Sequence, residues 1–156
     1  MTRRAEFNAD EWATVVDGPI YAALRVIAAS HGGRLRESLA MGRAYQDARG
    51  RQGESELLDD LVKSPPAIDA EEVRHAQSNI AEVTNQQLRE AAGLVGAKAT
   101  PAEADSYKTF VMTVAQAVAS AHKEGGFLGI GGKQITDAEN QALDEISTAL
   151  GPPPAA

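Results

Sequence analysis

The chain has 156 residues, enough for one domain with a sizeable core, and its hydrophobic fraction of 43% is ordinary while aromatics make up only 4%. It has no cysteine, which excludes disulfides, thiol nucleophiles and cysteine metal sites. The net charge of −7 is uneven: residues 1–51 carry eight arginines, no lysine and six acids, and the remainder carries seven basic and sixteen acidic side chains. That balance argues against general nucleic-acid binding, which needs a basic footprint on phosphates.

Helix signals follow one another along the chain. Asn8-Ala9-Asp10-Glu11 reads as a capping box, with Phe7 and Trp12 placed as its hydrophobic staple. The stripe Trp12, Val16, Ile20, Leu24 and Ile27 keeps helical spacing through Gly18-Pro19, so a kink, or two short helices nearly in line, is expected there. Gly32-Gly33 ends this unit. A second helix is expected from Arg34 to about Arg49, with Leu35, Leu39, Ala40 and Ala44 inward. A short helix over Glu54 to Lys63 buries Leu57, Leu58, Leu61 and Val62, and Ser64-Pro65-Pro66 stops it.

Asp69-Ala70-Glu71-Glu72 caps a long helix to about Ala92, carrying Val73, Ile80, Val83 and Leu88. Thr100-Pro101-Ala102-Glu103 combines a cap, a proline at the first helical position and an acid at the third. The helix it opens aligns Tyr107, Phe110, Val111, Val114 and Val118. Thr136-Asp137-Ala138-Glu139 caps a last helix with Ala142, Leu143, Ile146 and Leu150 inward, and the tail Gly151 to Ala156 is expected to be disordered or extended. No stretch alternates convincingly as a strand, and no internal repeat is visible. The expected fold is all-α, a single compact bundle of about six helices over residues 1–150.

The polar start of the chain and the absence of a long uncharged apolar run predict a soluble, unexported, cytoplasmic protein without a membrane span.

Chemistry-bearing constellations are sparse. Gly125-Gly126-Phe127-Leu128-Gly129-Ile130-Gly131-Gly132 interleaves five glycines with three bulky apolar residues. It fails the Walker spacing, because Phe127 stands where the first glycine belongs and Gln134 follows Lys133. The loop is either a structural link folded on the bundle or a docking element. Phe127 is expected inside, with Leu128 and Ile130 partly exposed. Glu72-Val73-Arg74-His75 has the Glu-x-x-His spacing of di-iron bundles, but no second pair exists around His31 or His122. Glu54, Glu56, Asp59 and Asp60 read as a solvated helix face rather than a cation site. Ser30-His31 and Ser120-Ala121-His122 lack the geometry of a nucleophile and its base. No catalytic residue, metal site or cofactor is therefore assigned. Arg36 and Arg43, seven apart on one helix face, either balance the acidic C-terminal helices within the fold or a homodimer or meet an anionic partner, and they are assigned with Phe127, Leu128 and Ile130 to contact with another protein or a second copy.

The segment Ala121-His122-Lys123-Glu124-Gly125-Gly126-Phe127-Leu128-Gly129, between an alanine-rich helix and an acid-rich one, resembles the C-terminal part of uncharacterised bacterial all-helical proteins. Ile135-Thr136-Asp137-Ala138-Glu139 with Leu143 and Ile146 is similar to TerB-like helical domains, some of which bind metal through acids. Those domains usually carry an acid before the corresponding glycine, where this chain has Gly131-Gly132-Lys133. The first likeness implies a helical fold and little about activity. The expected function is that of a non-enzymatic accessory or scaffold protein acting through protein contacts. The alternative is a TerB-like domain binding a small ligand or metal.

An internal Phe127 means that Phe127→Ala lowers stability by about 3–5 kcal/mol. Thermal melts check this, and an unchanged melting temperature would move Phe127 to the docking surface.

Overall fold

The computed structural model describes residues 2–29, 34–63, 71, 78–121 and 135–151, without the side chains of 34–36. Among these residues a 3-10 turn, Arg4–Glu6, precedes six α-helices. They are α1 (Ala9–Ala29), α2 (Arg34–Arg49), α3 (Glu56–Leu61), α4 (Ile80–Lys98), α5 (Pro101–Ser120) and α6 (Asp137–Leu150), with no strand among the described residues. The all-α expectation holds. No helix among the described residues is long and apolar enough to cross a membrane.

Three starts obey their capping signals. The Asn8 side chain accepts from the Glu11 N–H and Glu11 accepts from the Asn8 N–H, both at 2.9 Å. Phe7 and Trp12 close the staple with ring centroids 5.7 Å apart. Thr100 with Glu103, and Thr136 with Glu139, form full reciprocal boxes. Each satisfies amide groups that a helix start leaves orphaned, worth about 1 kcal/mol apiece.

The central element is α5, which touches all five other helices. Its stripe of Tyr107, Phe110, Val111, Val114 and Val118 is buried as the spacing requires. Ala104, Ala115 and Ala119 on the same helix are buried too, and such small residues let neighbouring backbones come close. Helix α1 packs mainly on α4 and α5, α2 on α5, and α6 on α4.

Gly18-Pro19 does not divide the first unit, which is one helix from Ala9 to Ala29. Proline has no N–H to give to the carbonyl four residues earlier, here that of Val15. The Tyr107 hydroxyl supplies the missing donor, 2.7 Å from the Val15 oxygen and completely buried. Burial pushes the phenol well above its ordinary pKa, so it stays a neutral donor. Gly18 provides the room, because a Cβ there would collide with that same hydroxyl.

Three expectations about helix faces and ends are corrected. On α2 the buried face carries Glu37, Met41, Ala44 and Tyr45, while Leu39 is 55% exposed, Ala40 is half-buried and the Leu35 side chain lies outside the described residues. Leu39 and Met41 stand about 200° apart around a helix, so both cannot face in. The Tyr45 ring, edge-on to Phe110 at 5.1 Å, decides which face wins. Helix α3 is shorter than Glu54 to Lys63, since the Ser55 hydroxyl caps it by accepting from the Leu58 N–H. Helix α4 begins after a turn at Ser78-Asn79 and runs through Gly93 and Gly96 to Lys98, rather than stopping near Ala92. Neither glycine is enough to end it; the stop comes where Thr100 precedes Pro101 and must be extended. The expected boundaries at Gly32-Gly33, Ser64-Pro65-Pro66 and Asp69-Ala70, and the tail after Gly151, lie outside the described residues.

Tyr107→Phe is expected to cost about 1–3 kcal/mol, the penalty for stranding a buried carbonyl. In a Pro19→Ala background the cost should shrink, because the restored backbone N–H serves Val15. Urea melts of the four proteins measure the coupling, and equal costs in both backgrounds would refute the pairing.

Candidate groove between α2, α3 and α5

A cavity of about 500 Å³ opens between α2, α3 and α5. Its floor is made of Ala44, Ala48, Leu58, Phe110, Ala117 and Ala121. Ser106, Thr109, Thr113 and Ser120 run along its α5 wall. This wall follows from the sequence: hydroxyl and small residues recur at helical spacing beside the bulky stripe, so a channel is left where they face outward. Arg43, Asp47, Arg51, Glu54, Asp59 and Asp105 supply its charges.

The α3 wall is fixed by the start of the chain. The Thr2 N–H and hydroxyl donate to the two oxygens of Glu103 at 2.9 and 2.7 Å. Arg3 pairs with Glu56 at 3.1 Å, and the Arg4 N–H donates to Asp60 at 3.0 Å. These links tie α3 to the first turn of α5. The Arg49 side chain, at the C-terminal end of α2, donates to the Val62 carbonyl just past α3, which brings that end to the first turn of α5 and sets α2 and α5 antiparallel. The groove therefore has two unlike ends. By their places along the elements, Asp47, Arg51, Glu54, Asp59 and Asp105 belong to one end, Ala40, Ser120 and Ala121 to the other, and Arg43 stands between, one turn before Asp47.

Electrostatics differ across the carboxylates. Burial alone would raise the Glu103 carboxyl, but hydrogen bonds from the backbone and hydroxyl groups of Thr2 and Thr100 outweigh it and bring the pKa to about 2. Hydrogen bonding from Lys63 holds Asp60 below its usual range, helped by the Arg4 N–H. Asp59 accepts from the Gly53 N–H at 2.9 Å. The side chains of Asp47, Glu54 and Asp105 have no ion pair among the described residues. No three His, Asp or Glu side chains among the described residues stand close enough together to hold a metal ion.

Of the residues assigned from sequence, Arg43 is exposed at the groove edge. Arg36 lies on α2, seven residues earlier, with its side chain outside the described residues. Phe127, Leu128 and Ile130, with His31, His75 and His122, lie outside them altogether. Leu39, taken from sequence as a core residue, is the large hydrophobic side chain exposed among the described residues, one turn before Arg43 on α2. Thr136 and Glu139, which carry the likeness to TerB-like domains, are engaged with each other in their cap. Comparison with protein-family models, with curated proteins and with solved structures gives no match.

Glu103 ionises far below its ordinary value of 4.5, so its contribution to stability is present above that pH and is lost as pH falls toward about 2. Glu103→Gln should be destabilised by about 1–2 kcal/mol at neutral pH. Chemical denaturation across pH should show the deficit shrinking below 4.5 and closing near 2; a deficit independent of pH would contradict this.

Proposed function

We propose that this protein is a non-enzymatic helical accessory or scaffold protein that works by contacting another protein, and that the α2–α3–α5 groove is its contact surface. One observation carries the reading: an apolar floor, a row of hydroxyls and uncompensated carboxylates share a single concave face. The apolar floor supplies affinity by leaving water, and the polar walls fix register. The exposed Leu39, beside Arg43 on the same helix, extends the apolar area beyond the rim.

The groove walls are helices joined to a common core through α5, which favours a pre-formed surface over one assembled on binding. Chemistry on a substrate would need an acid, a base or a nucleophile converging on one point. The hydroxyls here are spread along a helix instead, and Thr113 and Ser106 donate to backbone carbonyls one turn earlier.

Thr113 is exposed on the groove wall, so Thr113→Arg should fill the channel without disturbing the core. Purification from the source cell should recover a stoichiometric protein partner with the wild type and lose it with Thr113→Arg, circular dichroism being unchanged. Equal recovery with both would place the contact elsewhere, and a bound small molecule in place of a partner would replace the reading.

A further inference from the structure

We propose that the groove receives a basic amphipathic helix of the partner protein, its small apolar face on the alanine floor and its lysines or arginines over the acidic end. This rests on the partner-contact reading and adds the chemistry of what is bound.

Length comes first. Groove residues on α5 run from Asp105 to Ser120, about 22 Å at a helix rise of 1.5 Å per residue. That matches a helix of about four turns lying along the channel. The floor suits a helix as well. Ala44, Ala48, Ala117 and Ala121 place methyl groups where larger side chains would hold an incoming helix away, and interaxial distance falls as the contact residues shrink.

Charge decides the sign of the partner. At the acidic end Asp47, Glu54, Asp59 and Asp105 outnumber Arg51, and of these carboxylates Asp47, Glu54 and Asp105 have no cation paired to them among the described residues. Elsewhere at this end the acids are already matched: Glu56 holds Arg3, and Asp60 holds Lys63. The fold thus pairs the acids that hold α3 in place and leaves those facing the channel in excess of the arginines beside them. A cationic flank would gain from them, and an anionic one would be repelled. Arg43 stands one turn before Asp47 on α2, so the attraction for a cationic flank centres on Glu54, Asp59 and Asp105, beyond Asp47.

The test uses the full chain and two synthetic helices of about 15 residues, which span roughly 22 Å. Both carry an Ala/Leu face; one has lysine flanks and the other glutamate. Fluorescence anisotropy should show the lysine peptide binding at least about tenfold more tightly, with the gap closing at high salt. Asp47→Lys with Asp105→Lys should abolish that preference, and Asp47→Asn with Asp105→Asn should reduce it. Asp47 is exposed and Asp105 half-buried, and the folding of both pairs is checked by circular dichroism. Amide shifts on titration should map to the groove walls.

Equal binding of the two peptides, binding of neither, or shifts mapping away from the groove would overturn the proposal. Spermidine competing as well as the whole lysine peptide would assign the site to a small organic cation instead. Sedimentation showing the groove closed by a second copy, relieved by Thr113→Arg, would also overturn it. The two readings fail separately. If a partner co-purifies and is lost on Thr113→Arg while neither peptide binds, the contact surface stands and the basic helix does not.

Discussion

Pro19 lies inside α1 and leaves the Val15 carbonyl without its backbone donor, in a part of the helix that is buried against α5. The Tyr107 hydroxyl takes the donor's place, and Gly18 is bare so that it can. Two residue choices on two helices thus answer one local defect. Their combined effect is to lock α1 to α5 in both rotation and height, since a phenol reaches one carbonyl only. Everything that packs on α5 inherits this placement.

The next turn of α5 carries Phe110, and its edge contact with Tyr45 sets the rotation of α2. Once Tyr45 and Met41 face inward, Leu39 must face outward, and Arg43 comes to the edge of the groove. The groove is a consequence of this arrangement. It lies where alanine, serine and threonine on α5 meet alanines on α2, and these small side chains leave the space between the helices unfilled. The opening turn of the chain completes it, by holding α3 against the first turn of α5 through Thr2, Arg3 and Arg4.

Glu103 shows how one side chain serves a local and a distant purpose. Its local partner is Thr100, in the capping box that the run Thr-Pro-Ala-Glu encodes. Its distant partner is Thr2, which donates to both oxygens and shares Oε2 with Thr100. A carboxylate with this many donors is held ionised even though it is buried, and so it fixes the end of the groove through hydrogen bonds alone.

Residue order alone was enough to establish the all-α class, the starts of α1, α5 and α6, and the buried stripe of α5. These rest on interactions within a turn or two, namely caps, staples and 3.6-residue periodicity, and such information is complete in the local residues. Arg43 was legible as a surface residue too, without the groove beside it. Contacts between distant residues were needed to show that Gly18-Pro19 lies inside one helix, because the rescuing donor is 92 residues away. They were needed again to turn Leu39 toward solvent, because α2 is amphipathic in two competing directions and only the contact with Phe110 breaks the tie. The groove was hidden for the same reason: it is a shape made by three helices, and a concavity has no signature in any one of them.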